Sequence, residues 1–173
     1  MEKNKINVTI YDYISIIDIC KEVRCGMTAV IILKEMQSKR LKPKLSTYNK
    51  VLATCAKSGY MKAGMEIFNS MISESINPDV YSYGAVIPWF SKSGKWKEAL
   101  RLFNEMQTRG ISPNVITYNA VISACEKGRE YHEALRLFNE MQTRGLNLDV
   151  ITYNAVISAC EKGRECQEAL RLF

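Results

Sequence analysis

The stretch VITYNAVISACEKGRE fills positions 115–130 and returns unchanged at 150–165. A catalytic centre needs unlike groups brought together once. A phrase repeated with starts 35 residues apart suggests instead that something is counted along a line. Working outward, 99–130 and 134–165 agree at 28 of 32 positions, and all four differences fall at 111–114 against 146–149, so the phrase belongs to a longer duplicated unit. The same step runs back through the chain. Met36, Met71, Met106 and Met141 keep it, as do Tyr13, Tyr48, Tyr83, Tyr118 and Tyr153; Pro43, Pro78 and Pro113 keep it too, until Leu148 breaks the series. The repeats are 10–44, 45–79, 80–114, 115–149 and an incomplete 150–173, behind a leader at 1–9.

Each repeat reads as two helices. In 115–149, Tyr118, Ile122 and Cys125 make one apolar stripe at i, i+4, i+7, and Ala134, Phe138 and Met141 make a second. Gly128 is expected to end the first helix in a left-handed conformation and Gly145 the second. Pro113 suits the short link, because proline cannot continue the preceding helix. Two short helices cannot bury both stripes alone, so each pair must stack on its neighbours. The expected fold class is all-α, an α-solenoid.

Bulk composition sets limits. Of 173 residues, 47% are hydrophobic and 24% charged, ordinary values for a chain with a packed core and against disorder. No apolar run approaches the roughly 18 residues of a membrane span, so no membrane partner is expected. The net charge of +6 is compatible with polyanionic partners. Cys20, Cys55, Cys125 and Cys160 share one phase of the repeat with Phe90 in the remaining slot, and a slot that takes Cys or Phe is an apolar packing slot. Equivalent residues of stacked repeats lie beyond the roughly 7 Å limit for a bridge, so reduced, structural thiols are expected. With no CxxC pair and His132 as the single histidine, no metal site and no cofactor are expected. The opening MEKNKINVTIYDYIS shows neither a secretory core nor an Arg/Ser-rich transit peptide.

The pattern V-x-T-Y-N-x-V-I-S-A-C, then G, then E-A-L-x-L-F-x-E-M-x-x-x-G-x-x-P-N resembles the pentatricopeptide repeat family. It is carried by Val115, Thr117–Ile122, Glu133–Leu135, Leu137, Phe138, Glu140, Met141 and Gly145, with Pro113 and Asn114 from the preceding link. The likeness covers about 10–173 and is tightest over 80–173. It implies a right-handed superhelix of P-type repeats and a protein that binds single-stranded RNA, one base per repeat, in a plastid or mitochondrion, acting in RNA processing, stabilisation or translation. It further implies that the fifth and last residues of each repeat read the base. These pairs are Ile14/Lys44, Asn49/Asp79, Gly84/Asn114 and Asn119/Asp149, with Asn154 left unpaired.

Elementary chemistry gives those pairs meaning. A carboxylate only accepts hydrogen bonds and suits a base whose ring nitrogen donates, such as uracil; an amide can donate and suits cytosine or adenine. A long Asn at the fifth position leaves room for a pyrimidine. The expected readout is any-U-any-U-pyrimidine, 5′ to 3′ along the repeats, with no sensible code at Ile14/Lys44. Asp79, Asn114 and Asp149 could instead serve only as helix N-caps, a role both residue types favour. The second position of the repeat, Tyr81, Ile116 and Ile151 with Tyr11 and Ser46 before them, offers surfaces on which bases could stack, and Ser46 is a poor one. Ordinary packing between repeats would explain Ile116 and Ile151 equally. Lys57, Lys92, Lys127 and Lys162 recur in step near the end of each first helix. They could form a rail for phosphates, with a salt slope of about −3, or merely partner helix C-termini. KRLKPK at 39–44 resembles a nuclear signal but also falls where solvated lysines are common.

Repeat 80–114 is unusual. Pro88 stands inside its first helix, aimed at the carbonyl of Gly84, and a kink is expected. Gly84 brings no side-chain atom to the reading slot, so this repeat should stack a base on Tyr81 without choosing it. The rival function is a helical scaffold for protein partners. Catalysis is not expected, because nothing supplies a metal cluster or carboxylate set. The chain should act as a monomer, and the phrase broken at Phe173 suggests a longer array.

Overall fold

A computed structural model describes residues 8–172. The first seven positions of the 1–9 leader, and Phe173, lie outside the described residues. Every regular element among those described is an α-helix, two to each 35-residue step: α1 (Ile10–Glu22) and α2 (Gly26–Ser38), α3 (Leu45–Ser58) and α4 (Met61–Ser73), α5 (Val80–Lys92) and α6 (Trp96–Thr108), α7 (Val115–Gly128) and α8 (Tyr131–Thr143), α9 (Val150–Gly163) and α10 (Cys166–Leu172). The helices form two compact segments that divide between Pro78 and Asp79. In the first, α1 packs on α2 and α3, α2 reaches α3 and α4, and α3 packs on α4. In the second, α5, α7 and α9 lie side by side; α6 bridges α5 and α7, α8 bridges α7 and α9, and α10 rests on α9. Each segment is a stack of helical hairpins, as the paired apolar stripes require.

The stripes form the core. Tyr118, Ile122, Cys125, Ala134, Phe138 and Met141 are all buried, and so are their counterparts Tyr83, Ile87, Phe90, Ala99, Phe103 and Met106. Burying side chains of this size stabilises by roughly 1.5–3 kcal/mol each. Phe103 meets Tyr118 edge-on at 4.9 Å between ring centres, and Phe138 meets Tyr153 at 5.3 Å, so the second helix of one repeat is stitched to the first helix of the next. Cys20, Cys55, Cys125 and Cys160 occupy buried positions as free thiols. Burial pushes Cys55 up to about 11.

The turns carry a second periodicity. Residues with φ between 57° and 78° fall at Arg24, Gly59, Gly94, Arg129 and Arg164, and again at Arg40, Ser75, Gly110 and Gly145, two series in step with the repeat. Each closes a helix with a backbone bond reaching five residues back. Glu130 N–H donates to Cys125 O at 2.9 Å, Lys95 to Phe90 at 2.9 Å, Ile111 to Met106 at 3.0 Å and Leu146 to Met141 at 3.0 Å. This is the Schellman closure, whose apolar residue beyond the turn folds back over the helix end. Beyond the second helices that residue is Leu41, Ile76, Ile111 or Leu146, each in phase with its Met.

One expectation needs correction. Gly145 is left-handed as expected, but Gly128 is not: it lies inside α7, and Arg129 takes the left-handed turn at φ 61°. Gly128 is needed for closeness, since a Cβ there would run into the Trp96 ring; at Gly163 a Cβ would run into Tyr131. Pro88 does not interrupt α5, which runs from Val80 to Lys92 with Tyr83, Val86, Ile87, Trp89 and Phe90 buried. This repeat keeps its core despite its irregular sequence.

Candidate nucleic-acid interface

Asp79, Asn114 and Asp149 each precede a first helix with extended backbone, and each caps it. Asp79 accepts from the N–H groups of Tyr81 (3.0 Å) and Ser82 (2.9 Å), Asn114 from Thr117 (3.0 Å), and Asp149 from Thr152 (2.8 Å). The capping role is therefore real, and worth about 1 kcal/mol each. It does not exhaust a carboxylate, which offers about four lone-pair sites.

The question is what else those residues meet. Asn119 on α7 donates its amide to Asp149, at 3.2 Å to Oδ1 and 3.4 Å to Oδ2, and its Oδ1 accepts from the Thr152 hydroxyl at 2.7 Å. The fifth and last residues of repeat 115–149 thus stand together at one edge. The N–H and hydroxyl of Thr152, with the Asn119 amide, hold the Asp149 carboxyl below the usual aspartate range against a smaller upward pull from burial. It remains an ionised acceptor. By inventory, one amide hydrogen of Asn119 and the outer lone pairs of Asp149 are left over for a ligand.

The other reading positions sit as follows. Gly84 on α5 faces open space: a Cβ built there meets nothing within 4 Å. Asn49 is half-buried on α3, Asn154 is exposed on α9, and Lys44 precedes α3 without a side-chain cap.

Beside the reading slot, the second positions stand in solvent. Tyr81 is 74% exposed, Ile116 65% and Ile151 63%; in the first segment Tyr11 is 77% exposed. Large apolar side chains are thus held out of the core at three successive repeats of the second segment. Packing between repeats, the alternative for Ile116 and Ile151, does not account for them.

The lysines divide. Lys127 stands eleven residues, about three turns, beyond Ile116, and so on the same side of α7. Its ammonium donates to the Ser91 carbonyl at the end of α5, at 3.0 Å. Lys162 bonds the carboxylate of Glu126 at 2.6 Å. Both reach back to the twelfth position of the preceding repeat and strap neighbouring first helices together. Lys57 and Lys92 are exposed in the last turns of α3 and α5. Within the basic run at 39–44, Lys39 pairs with Glu35 at 2.7 Å and also bonds the Tyr13 hydroxyl, a structural use.

Model matches agree with this arrangement. The PPR repeat family model matches residues 43–88, 82–127 and 113–162, and the pentatricopeptide repeat domain model matches residues 1–58. The chain belongs to the pentatricopeptide repeat family. No curated protein is a significant match. Among solved structures, the maize pentatricopeptide repeat protein PPR10 in complex with an 18-nt psaJ RNA element aligns over 98% of this chain and 25% of its own, with TM-score 0.74 and 26% identity. The PPR domain of Arabidopsis thaliana protein-only RNase P 1 in complex with tRNA aligns over 91% and 83%, with TM-score 0.80 and 14% identity. Nuclear proteinaceous RNase P 2 of the same plant aligns over 94% and 36%, with TM-score 0.84 and 17% identity. The last two share the fold alone. This chain spans about a quarter of the length of PPR10.

Sequence reasoning missed Thr152, which reads as an ordinary first-turn residue, and the Ser91 and Glu126 partners of the lysines. Among the described residues, no group of three or more His, Cys, Asp or Glu side chains is placed to hold a metal ion. No helix among them is long and apolar enough to cross a membrane.

Proposed function

We propose that this pentatricopeptide repeat chain binds single-stranded RNA along the side carrying the first-helix N-termini, stacking bases on the second position of each repeat and reading them at the fifth and last. The observation that carries this is the exposure, in step, of Tyr81, Ile116 and Ile151. Burial would be the ordinary fate of such side chains, and a flat or branched platform is worth exposing when a base covers it; stacking on an aromatic contributes about 1–3 kcal/mol per base. PPR10, solved with an RNA element, supports the same reading.

Repeat 115–149 reads with a joined Asn119 and Asp149. Its Asp149 accepts from the ring N–H of uracil, and the Asn119 amide hydrogen meets a carbonyl oxygen of the same base. Repeat 80–114 stacks on Tyr81 and selects weakly, because Gly84 leaves the slot empty. The register remains any-U-any-U-pyrimidine. The role is binding rather than catalysis, in the processing, stabilisation or translation of an organellar transcript, in a plastid or mitochondrion. Filter binding of the whole chain to a U-rich oligonucleotide and to oligo-G of the same length tests this. The U-rich strand should bind at least about tenfold more tightly, equivalent to one well-matched base contact. Equal, weak retention of both would favour a protein-binding scaffold.

A further inference from the structure

The third residue of the repeat is a buried hydroxyl in four of the five repeats, at Thr47, Ser82, Thr117 and Thr152, and the exposed Asp12 in the first; the two copies inside the duplicated phrase behave differently. Thr117 and Thr152 both follow the phrase V-I, and both are fully buried. Thr117 turns back on its own cap: its hydroxyl accepts from Asn114 N–H at 2.9 Å and donates to Asn114 O at 2.7 Å. Thr152 does not close that box. Its hydroxyl lies 2.7 Å from Asn119 Oδ1 and 2.9 Å from Asp149 Oδ1. Two things differ: the cap, Asn114 in one and Asp149 in the other, and the reading slot of the preceding repeat. Thr117 follows the repeat whose slot holds Gly84; Thr152 follows the one whose slot holds Asn119.

We propose that Thr152 is a positioning residue for base selection. Its hydroxyl fixes which way round the Asn119 amide sits, so that repeat 115–149 reads its base with three side chains drawn from two repeats. The chemistry follows from the donor inventory. Asp149 can only accept, so the Asn119 atom facing it must be the nitrogen; Oδ1 is then turned away and needs a donor, which the Thr152 hydroxyl supplies. A half-rotated amide would set oxygen against carboxylate and present an acceptor to the base. Locked, the slot shows a donor from Asn119 beside an acceptor from Asp149 in fixed places, which suits uracil and misplaces cytosine. This rests on the RNA-reading proposal, which it deepens by adding a specificity-determining side chain.

The test compares wild type, Thr152→Val and Thr152→Ser. Valine keeps the shape and the backbone N–H that Asp149 accepts; serine keeps the hydroxyl. In the free protein, the Asn119 side-chain amide resonances should be dispersed and rigid in wild type and in Thr152→Ser, and should collapse toward averaged values in Thr152→Val. In binding to oligonucleotides varied at the base facing repeat 115–149, the preference for uracil over cytosine should fall about fivefold in Thr152→Val, the worth of one neutral hydrogen bond, and recover in Thr152→Ser. Preference at the base facing repeat 150–173 should not move. An Asn119 signal unchanged in Thr152→Val overturns the clamp, whatever RNA does. A wild-type uracil preference retained by Thr152→Val overturns its role in selection. A wild-type chain indifferent to that base overturns the RNA reading itself, and with it the role in selection, while the amide signal still decides the clamp.

Discussion

At the residue scale, the tyrosine that keeps the 35-residue count is both a core residue and a hydrogen-bond donor. Tyr13 bonds Glu35 at 2.7 Å, Tyr83 bonds Glu105 at 3.1 Å and Tyr118 bonds Glu140 at 2.7 Å, each tying the two helices of one repeat. In repeat 45–79 the position that elsewhere holds this glutamate is Ser70, and Glu74, one turn on, takes over, at 2.7 Å from Tyr48. The hydroxyl must find a carboxylate, and the helix supplies one from either turn. Burial, with the facing carboxylate, pushes Tyr48 and Tyr83 up to about 12 and Tyr118 higher still. The folded state thus holds these protons more tightly than the unfolded chain. The stability they contribute is complete below the ordinary value of 10.0 and is lost as pH climbs through about 12. A titration followed by circular dichroism and tyrosinate absorbance should show helix loss and the ionisation of a late class of tyrosines, the buried ones, rising together in that window; complete tyrosine ionisation below it in a chain still helical would contradict it. The tyrosine stripe was legible because its spacing is local and helical. The glutamate partner, 22 residues away on another helix, was not.

At the element scale, the helices end by rule but not by residue type. The left-handed position is glycine at Gly59 and Gly94 and arginine at Arg129 and Arg164. A side chain in that conformation costs roughly 1–2 kcal/mol, so Arg129→Gly should stabilise the fold by up to about 1 kcal/mol once the added unfolded-state freedom of glycine is offset. Gly128→Ala, one residue earlier, should destabilise it by about 1–3 kcal/mol, because its methyl would displace the Trp96 ring. Thermal melts of the two variants check this, and the opposite order of stability would contradict it. The sequence held a clue to the first point, since Arg129 is in phase with Gly59 and Gly94. It held none to the second: what makes Gly128 necessary is a ring on α6 of the preceding repeat, outside any local pattern. Local pattern likewise recognised the caps Asp79, Asn114 and Asp149 but not that the Thr152 hydroxyl would also reach Asn119.

At the scale of the whole molecule, the period was legible almost completely, because stacked hairpins demand the same contacts at every step. The charged surface was less so. The lysine series looks uniform in sequence, yet Lys127 and Lys162 are spent on Ser91 and Glu126. If Lys57 and Lys92 alone meet phosphates, the slope of log K against log salt should lie near −1.4, half the figure for four contacts. A slope steeper than about −2.5 would show that the straps open when RNA arrives. The account as a whole turns on whether the edge made by Asn119 and Asp149 reads a base. Asp149→Asn tests that most directly, since asparagine caps a helix as well as aspartate and leaves α9 intact. Binding to oligonucleotides varied at that one base should shift in preference from uracil toward cytosine at similar overall affinity. A preference that stays on uracil, with affinity intact, would contradict the account.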